Sequence, residues 1–343
     1  MQRPLAILAL CAAIVAGCKS KPVASITEIP SIPGEAYSIG VSAPFCGTIG
    51  ETLVVAGGAN FPDKPLVEGG SKKVYDDIWT FKGGQWTLAG HLPEPVAYGA
   101  TFAVPDGLVL VGGTVDGAPS DKVYLLTLED GKASLRKLPS LPNGVAEAGA
   151  ASCEDRLYLV GGIGSEYIYS CHTGEYIWEQ VTKLPIPLIQ PLAFAAPSSL
   201  FFWGGYDPVT LRALSDGWHL SGGRLEPVAG VPDGGTFVGS TGVVLPDGRF
   251  AVIGGVNREI FSRALHNTDE ERADYFSKEP SEYHFRSDIY AFSAETMSWQ
   301  LIATAPECAL AGAGVAVVDG DVMVVGGEIK PGVRTPRIFS MSL

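Results

Sequence analysis

A pair of adjacent glycines recurs six times along this chain, at Gly57-Gly58, Gly112-Gly113, Gly161-Gly162, Gly204-Gly205, Gly254-Gly255 and Gly326-Gly327. Each pair ends a run of aliphatic, β-branched or aromatic residues, at 53–56, 108–111, 157–160, 200–203, 250–253 and 322–325. Four residues are too few for a helix and these types favour strands, so each run predicts a strand that stops at a sharp turn. Successive pairs lie 55, 49, 43, 50 and 72 residues apart. A fixed period of this size means that one supersecondary unit is copied along the chain, with one large insertion.

Beyond most pairs comes another aromatic strand, at 77–81, 122–128, 167–170, 287–292 and 337–341, with a weaker counterpart at 217–220. A further strand often carries a tryptophan (Trp86, Trp178, Trp299) ahead of a proline turn such as Leu92-Pro93. Counting the strand before each glycine pair, the unit is a four-stranded sheet. The pattern resembles Kelch repeats, and six copies imply an all-β fold, a six-bladed Kelch-type β-propeller, in preference to a pair of β-sandwiches. The sixth unit stops one strand short, while residues 23–33 read as an isolated fourth strand with its own turn at Ile32-Pro33. The N-terminal strand is therefore expected to close the last blade, which leaves no open blade in the ring.

Residues 1–17 stand apart from this pattern. Arg3 precedes an apolar stretch, Leu5 to Ala16, of secretory rather than membrane-spanning length. Val15-Ala16-Gly17-Cys18 resembles a bacterial lipobox, which predicts cleavage before Cys18 and lipid on its thiol. The expected organisation is a lipoprotein signal peptide over 1–17, a lipid-anchored tether over 18–22 and the propeller over 23–343. It implies a place in the envelope of a Gram-negative bacterium, at the periplasmic face of the outer membrane, touching the membrane through the anchor alone.

A net charge of −13 argues against a nucleic-acid partner, since phosphate binding needs a basic face. An anionic small molecule would need a locally basic pocket. Cys46, Cys153, Cys171 and Cys308 admit three complete disulfide pairings or buried free thiols. The five histidines (91, 172, 219, 266, 284) show no paired ligand spacing, so no metal is expected. No sequence pattern specifies an oligomeric state.

Three of the loops that follow the glycine pairs are long: 59–75, 256–286 and 328–335. In a closed ring these belong to neighbouring blades and open on one face, which favours a pocket there. Within the longest, 261–266 and 268–276 mix apolar and charged residues at near-helical spacing, and one or two helical turns capping the pore are expected. In the last loop, the Pro331-Gly332 turn can return Arg334 to the side of Glu328. Such a pair serves either as a structural salt bridge or as a catalytic couple.

The segment Gly327-Glu328-Ile329-Lys330-Pro331-Gly332-Val333-Arg334-Thr335 resembles the Gly-Glu-x-Lys-Pro-Gly-x-Arg-Thr loop of the N-acetylneuraminate epimerases, or sialate mutarotases. Gly254-Gly255-Val256-Asn257, Tyr275-Phe276 and Met297-Ser298-Trp299 add to the likeness. In better-known members the Glu–Arg blade lies mid-chain, whereas here it comes last, so the chain resembles a cyclically permuted branch; a ring tolerates permutation because its termini meet within one blade. The resemblance implies an isomerase acting on sialic acid with no cofactor. Glu328 would accept the proton of the C2 hydroxyl, and Arg334 would hold the C1 carboxylate or stabilise charge developing at C2. Lys330 of the motif, with Asn60 and Asn257 two positions beyond their glycine pairs, are candidate substrate contacts, although asparagine is also a turn residue. The alternatives are a mutarotase for another acidic sugar and a non-enzymatic Kelch module that binds a glycan or protein. A sialidase is disfavoured because Ser215-Asp216-Gly217-Trp218 lacks the spacing of that class, and a copper oxidase because no Tyr/His ligand set can be assembled.

Overall fold

The computed structural model describes residues 21–343, and these form six four-stranded antiparallel sheets with two short helices. Blade one comprises Phe45–Ile49, Thr52–Ala56, Asp77–Lys82 and Gln85–His91 from the axis outward. Blades two to five repeat that order, beginning at Ala100–Val104, Gly149–Cys153, Leu192–Ala196 and Thr241–Val244. Their first strands, with Gly314–Val318 of blade six, surround one central channel. The expected six-bladed propeller is thus the observed one. Trp86 and Trp299 lie within fourth strands, while Trp178 falls just ahead of its strand, Glu179–Lys183.

Closure follows the expected route. Ser25–Ile29 pairs antiparallel with Ile338–Ser342, in register from Ser25 against Ser342 to Ile29 against Ile338, and completes blade six. The signal peptide, Cys18 and the first part of the tether lie outside the described residues. Among the described residues no helix is long and apolar enough to cross a membrane, and the four cysteines there are free thiols.

Each blade is buried on both faces, which explains the unbroken apolar runs before the glycine pairs. In blade one, Leu53 and Val55 pack towards Val325 and Ile338 of blade six, while Val54 and Ala56 pack towards Leu108 and Leu110 of blade two. Alternate side chains therefore supply two different cores. Six such clusters, one at each blade interface, carry the apolar burial of the ring.

The glycine pairs join one blade to the next. The second glycine donates its N–H to the segment entering the following blade: Gly58 to Val96 O (3.0 Å), Gly113 to Val145 O (2.9 Å), Gly162 to Leu188 O (2.8 Å), Gly255 to Leu310 O (2.9 Å) and Gly327 to Val41 O (2.9 Å). The first glycine turns the chain in the left-handed region, as at Gly326 with φ 61°, where an added Cβ would stand 2.4 Å from Val41 O. Conformation and close approach both require glycine there.

Candidate active site

Just before each innermost strand, one residue in a left-handed conformation turns the chain inward. These are Ala43, Tyr98, Glu147, Gln190, Gly239 and Gly312, with φ between 52° and 73°. They form a hydrogen-bonded ring around the channel mouth. The N–H of Ala43 donates to Gly312 O (2.7 Å), Tyr98 to Ala43 O (3.0 Å), Glu147 to Tyr98 O (2.9 Å), Gln190 to Glu147 O (2.9 Å) and Gly312 to Gly239 O (2.8 Å). At the remaining link the Gly239 N–H donates instead to the side-chain Oε1 of Gln190, at 3.0 Å. The unusual backbone at Tyr98, Glu147 and Gln190 is thus architectural: every blade needs it, and the ring supports it.

A second sixfold position lies directly after each glycine pair and is occupied by Ala59, Thr114, Ile163, Tyr206, Val256 and Glu328. Only blade six places a charge there. Glu328–Lys330 pairs with Val333–Arg334 in a tight hairpin whose register sets Glu328 opposite Arg334. Arg334 Nη2 meets Glu328 Oε1 at 2.8 Å. The guanidinium is held on its other sides, with Nε donating to Ala59 O at 3.2 Å and Phe61 covering its face 4.6 Å from the ring centroid. Nη1 has no hydrogen-bond partner among the described residues. Ser42 Oγ lies 3.5 Å from Glu328 Oε1, and the Gly332 N–H points at Oε2 from 3.4 Å. Arg334 is 2% exposed and Glu328 23%, so the carboxylate is the member of the pair that a small molecule can reach. Burial raises the Glu328 carboxyl above the ordinary glutamate range, against the opposing pull of Arg334.

All six ring residues, with Glu328 and Val256 of the second array, line one cavity of about 520 Å³. That volume suits a small sugar-sized molecule. The blade-five insertion roofs it. Helix α1, Arg258–Ala264, and helix α2, Asp269–Ser277, confirm the expected helical cap. Phe261, Leu265, Tyr275 and Phe285 present an apolar and aromatic ceiling to the cavity. Contacts that fasten this lid include Arg258 Nη1 donating to Gly234 O at 2.7 Å and Ala213 N–H donating to Ser262 Oγ at 3.0 Å, and within the lid the Tyr283 hydroxyl donates to Tyr275 O. Burial and the nearby Tyr283 and Glu328 push the Tyr275 hydroxyl well above its usual pKa, so it remains a neutral donor.

Three sequence candidates take structural places instead. Asn60 is 0% exposed; its amide donates to Ala36 O and Gly40 O and accepts from the Tyr75 hydroxyl. With every polar atom engaged, it fixes the first-blade loop and is closed to a ligand. Asn257 caps α1, its Oδ1 accepting the N–H groups of Glu259 and Ile260 at 3.1 Å each, as turn-favouring asparagines do. Lys330 extends its ammonium to Lys278 O, 2.7 Å away at the end of α2, and so anchors the lid rather than the cavity wall. Among the described residues, the grouping with metal-ligand spacing is Asp76, Asp77 and His91, outside this cavity.

The residues that sequence reasoning missed are Tyr98, Glu147, Gln190 and Lys72. Lys72 projects from the first-blade loop, donating to the Tyr98 hydroxyl at 3.0 Å with its ammonium 4.8 Å from that ring's centroid. Its charge is felt by both Glu328 and Glu147, which supplies a basic feature in an acidic protein. A signal for the ring was present: aligned on the glycine pairs, Ala43, Tyr98, Glu147, Gln190 and Gly312 all stand fourteen residues ahead of the first glycine. In blade five the interval is fifteen, and that is where Gln190 bridges the ring with its side chain.

Comparison with known proteins gives this arrangement its context. The family model described as N-acetylneuraminate epimerase matches residues 14–135 and 138–343. The chain is 37% identical over 118 residues to the N-acetylneuraminate epimerase of Brucella melitensis biotype 1, covering 32% of this chain and 30% of that protein. It is 34% identical over 125 residues to that of Vibrio vulnificus strain YJ016 (34% and 33%), and 24% identical over 267 residues to that of Salmonella paratyphi B (75% and 58%). The matched segments thus span between a third and three-fifths, roughly, of the length of these curated relatives.

Proposed function

Because the chain belongs to the N-acetylneuraminate epimerase family, we propose that it is a sialic acid mutarotase, interconverting the α and β anomers of N-acetylneuraminate. The observation that carries this reading is the Glu328–Arg334 pair at the cavity wall, its carboxylate open to the cavity and its guanidinium behind. The match in two segments also accords with a permuted order of blades.

The reaction needs little beyond a base. Glu328 accepts the proton of the C2 hydroxyl, the bond from C2 to the ring oxygen breaks, and the ring oxygen takes up a proton to give the open keto acid. Rotation presents the other face of the carbonyl, and reclosure reverses each step, with no net change in protons. General-base assistance of this kind is worth roughly 10²- to 10⁴-fold in rate. Arg334 acts through Glu328: at 2.8 Å it opposes the effect of burial and keeps the carboxylate available in its basic form. Lys72 and the hydroxyls of Tyr98 and Tyr275 complement the anionic substrate. The aromatic lid holds bulk water away from the open-chain intermediate.

The deciding experiment follows α-N-acetylneuraminate, freshly released by a sialidase, by one-dimensional proton NMR with the wild-type protein and with Glu328→Gln. Accelerated appearance of the β anomer with wild type alone is the expected result. Acceleration by neither protein, with activity on another acidic sugar, would reassign the substrate.

The sequence around Cys18 supports a lipid-anchored protein of the cell envelope, facing the periplasm. The first described residues leave from blade five, where Lys21 Nζ meets Asp288 at 2.6 Å and Pro22 O accepts the Thr304 N–H at 2.7 Å. A Cys18→Ser variant should move from the membrane to the soluble fraction; an unchanged distribution removes the anchor from this account.

A further inference from the structure

Opposite the Glu328 wall, the cavity holds a second carboxyl group that the reaction does not use. Glu147 enters blade three, diametrically across the six-bladed ring from blade six, and lines the same cavity. One of its oxygens is engaged, with Gln190 Nε2 donating to Oε2 at 2.6 Å. Gln190 is itself fixed, since its Oε1 accepts the Gly239 N–H; the amide can present only its nitrogen to Glu147. The other oxygen of Glu147 makes no hydrogen bond among the described residues. The immediate partner of this carboxyl is therefore a neutral amide, in contrast to the guanidinium beside Glu328.

An acceptor oriented in this way, with no cation in contact, repels the carboxylate of a sugar acid and attracts hydroxyl or amide N–H donors. We infer that Glu147, held by Gln190, is the specificity-determining contact for the hydroxylated tail of the substrate. The carboxylate and anomeric centre then lie towards blade six and the polyol tail towards blade three. The assignment deepens the mutarotase reading and rests on it. It also explains the asymmetry of the ring, whose residues on blades five, six and one are Gly239, Gly312 and Ala43. Small residues there leave space for the sugar ring beside Glu328, while Tyr98, Glu147 and Gln190 form the recognising wall.

The test measures anomer exchange by the full-length protein on N-acetylneuraminate and on its tail-truncated analogue, made by periodate cleavage and borohydride reduction of an α-glycoside, which protects C2, and then freed by hydrolysis of the glycoside. Wild type should prefer the intact sugar by about tenfold in kcat/KM, the scale of one lost hydrogen bond. Glu147→Ala should bring that preference close to one, chiefly by raising KM for the intact sugar. Glu147→Gln, which keeps an acceptor at the same place, should retain most of it, and thermal melts establish that both variants are folded. The inference is overturned if wild type treats the two sugars alike, or if Glu147→Ala slows both equally with the preference intact. Should wild type accelerate neither sugar, the mutarotase reading itself fails, and this assignment with it; that outcome is recognised before any variant is compared.

Discussion

Blades six and three face each other across the ring, and each turns a partly buried carboxyl group into the same cavity, yet the two are supported differently. Glu328 stands on the hairpin after a glycine pair, whose returning arm can carry a partner, and that partner is Arg334. Glu147 stands on the ring of left-handed turns, where its side-chain neighbour is the next ring residue, Gln190. Burial raises both carboxyls, but only Glu328 has a guanidinium in contact to oppose the rise. The difference teaches that the two repeated positions suit different work: one can supply a tuned base, the other a fixed hydrogen-bonding wall.

Removing each carboxyl in turn breaks the comparison most sharply. Glu328→Gln should lower kcat by roughly 10²- to 10⁴-fold with little change in KM, as measured by NMR anomer exchange. Glu147→Gln should leave kcat within about threefold of wild type; an equal loss in both would make the two carboxyls joint members of the catalytic machinery. Arg334→Met comes next. It leaves Glu328 without its countercharge, so the carboxyl rises further and the midpoint of the pH–activity profile moves upward. Stability should fall towards the lower end of the about 3–5 kcal/mol expected for breaking a buried pair, because Glu328 stays partly open. Denaturant titration and a pH profile check the two parts separately.

The pH dependence sharpens the comparison. The Glu328 carboxyl sits above the usual glutamate value near about 4.3, so the base is lost, and kcat/KM falls, as pH drops through that raised value. Glu147→Gln should leave this limb where it is. For stability the sign is opposite. A carboxyl whose pKa is raised by folding contributes fully below its unfolded value and loses that contribution as pH rises through its folded value. Glu147→Gln should therefore gain in Tm relative to wild type as pH rises above the ordinary glutamate value of about 4.3, and a difference that stays constant with pH would place the Glu147 shift elsewhere. The smallest effect belongs to Gln190→Ala, which opens the ring at one link and frees Glu147, at a cost of about 1 kcal/mol.

Much of this was legible in the sequence because the fold's requirements are local. At five of the six glycine pairs, a Cβ on the first glycine would meet a carbonyl oxygen of the incoming segment within 2.5 Å, so glycine is required there. The hairpin joining Glu328 to Arg334 was legible for the same reason, since a Pro-Gly turn sets its register within seven residues. Asn60 misled because asparagine bonds backbone as readily as it bonds sugars, and only its surroundings, Tyr75 and two carbonyls from residues 36 and 40, decide between them. Glu147 carries no motif: flanked by Ala146 and Ala148, it acquires meaning only when the repeats are superposed and the ring is closed.

That closure bears on how the protein is made. The pairing of Ser25–Ile29 with Ile338–Ser342 joins segments more than three hundred residues apart, a contact whose loop entropy makes it slow to form. The hairpin bearing Glu328 and Arg334 hangs between the last two strands of that same sheet. Blades one to five can assemble from neighbouring sequence, but the blade that carries Glu328 and Arg334 is complete only when the two far ends meet. Turnover then becomes a report on assembly: a ring opened at the seam of Ser25–Ile29 with Ile338–Ser342 should keep most of its sheet structure and lose the proposed activity, a divergence that circular dichroism and anomer exchange would reveal.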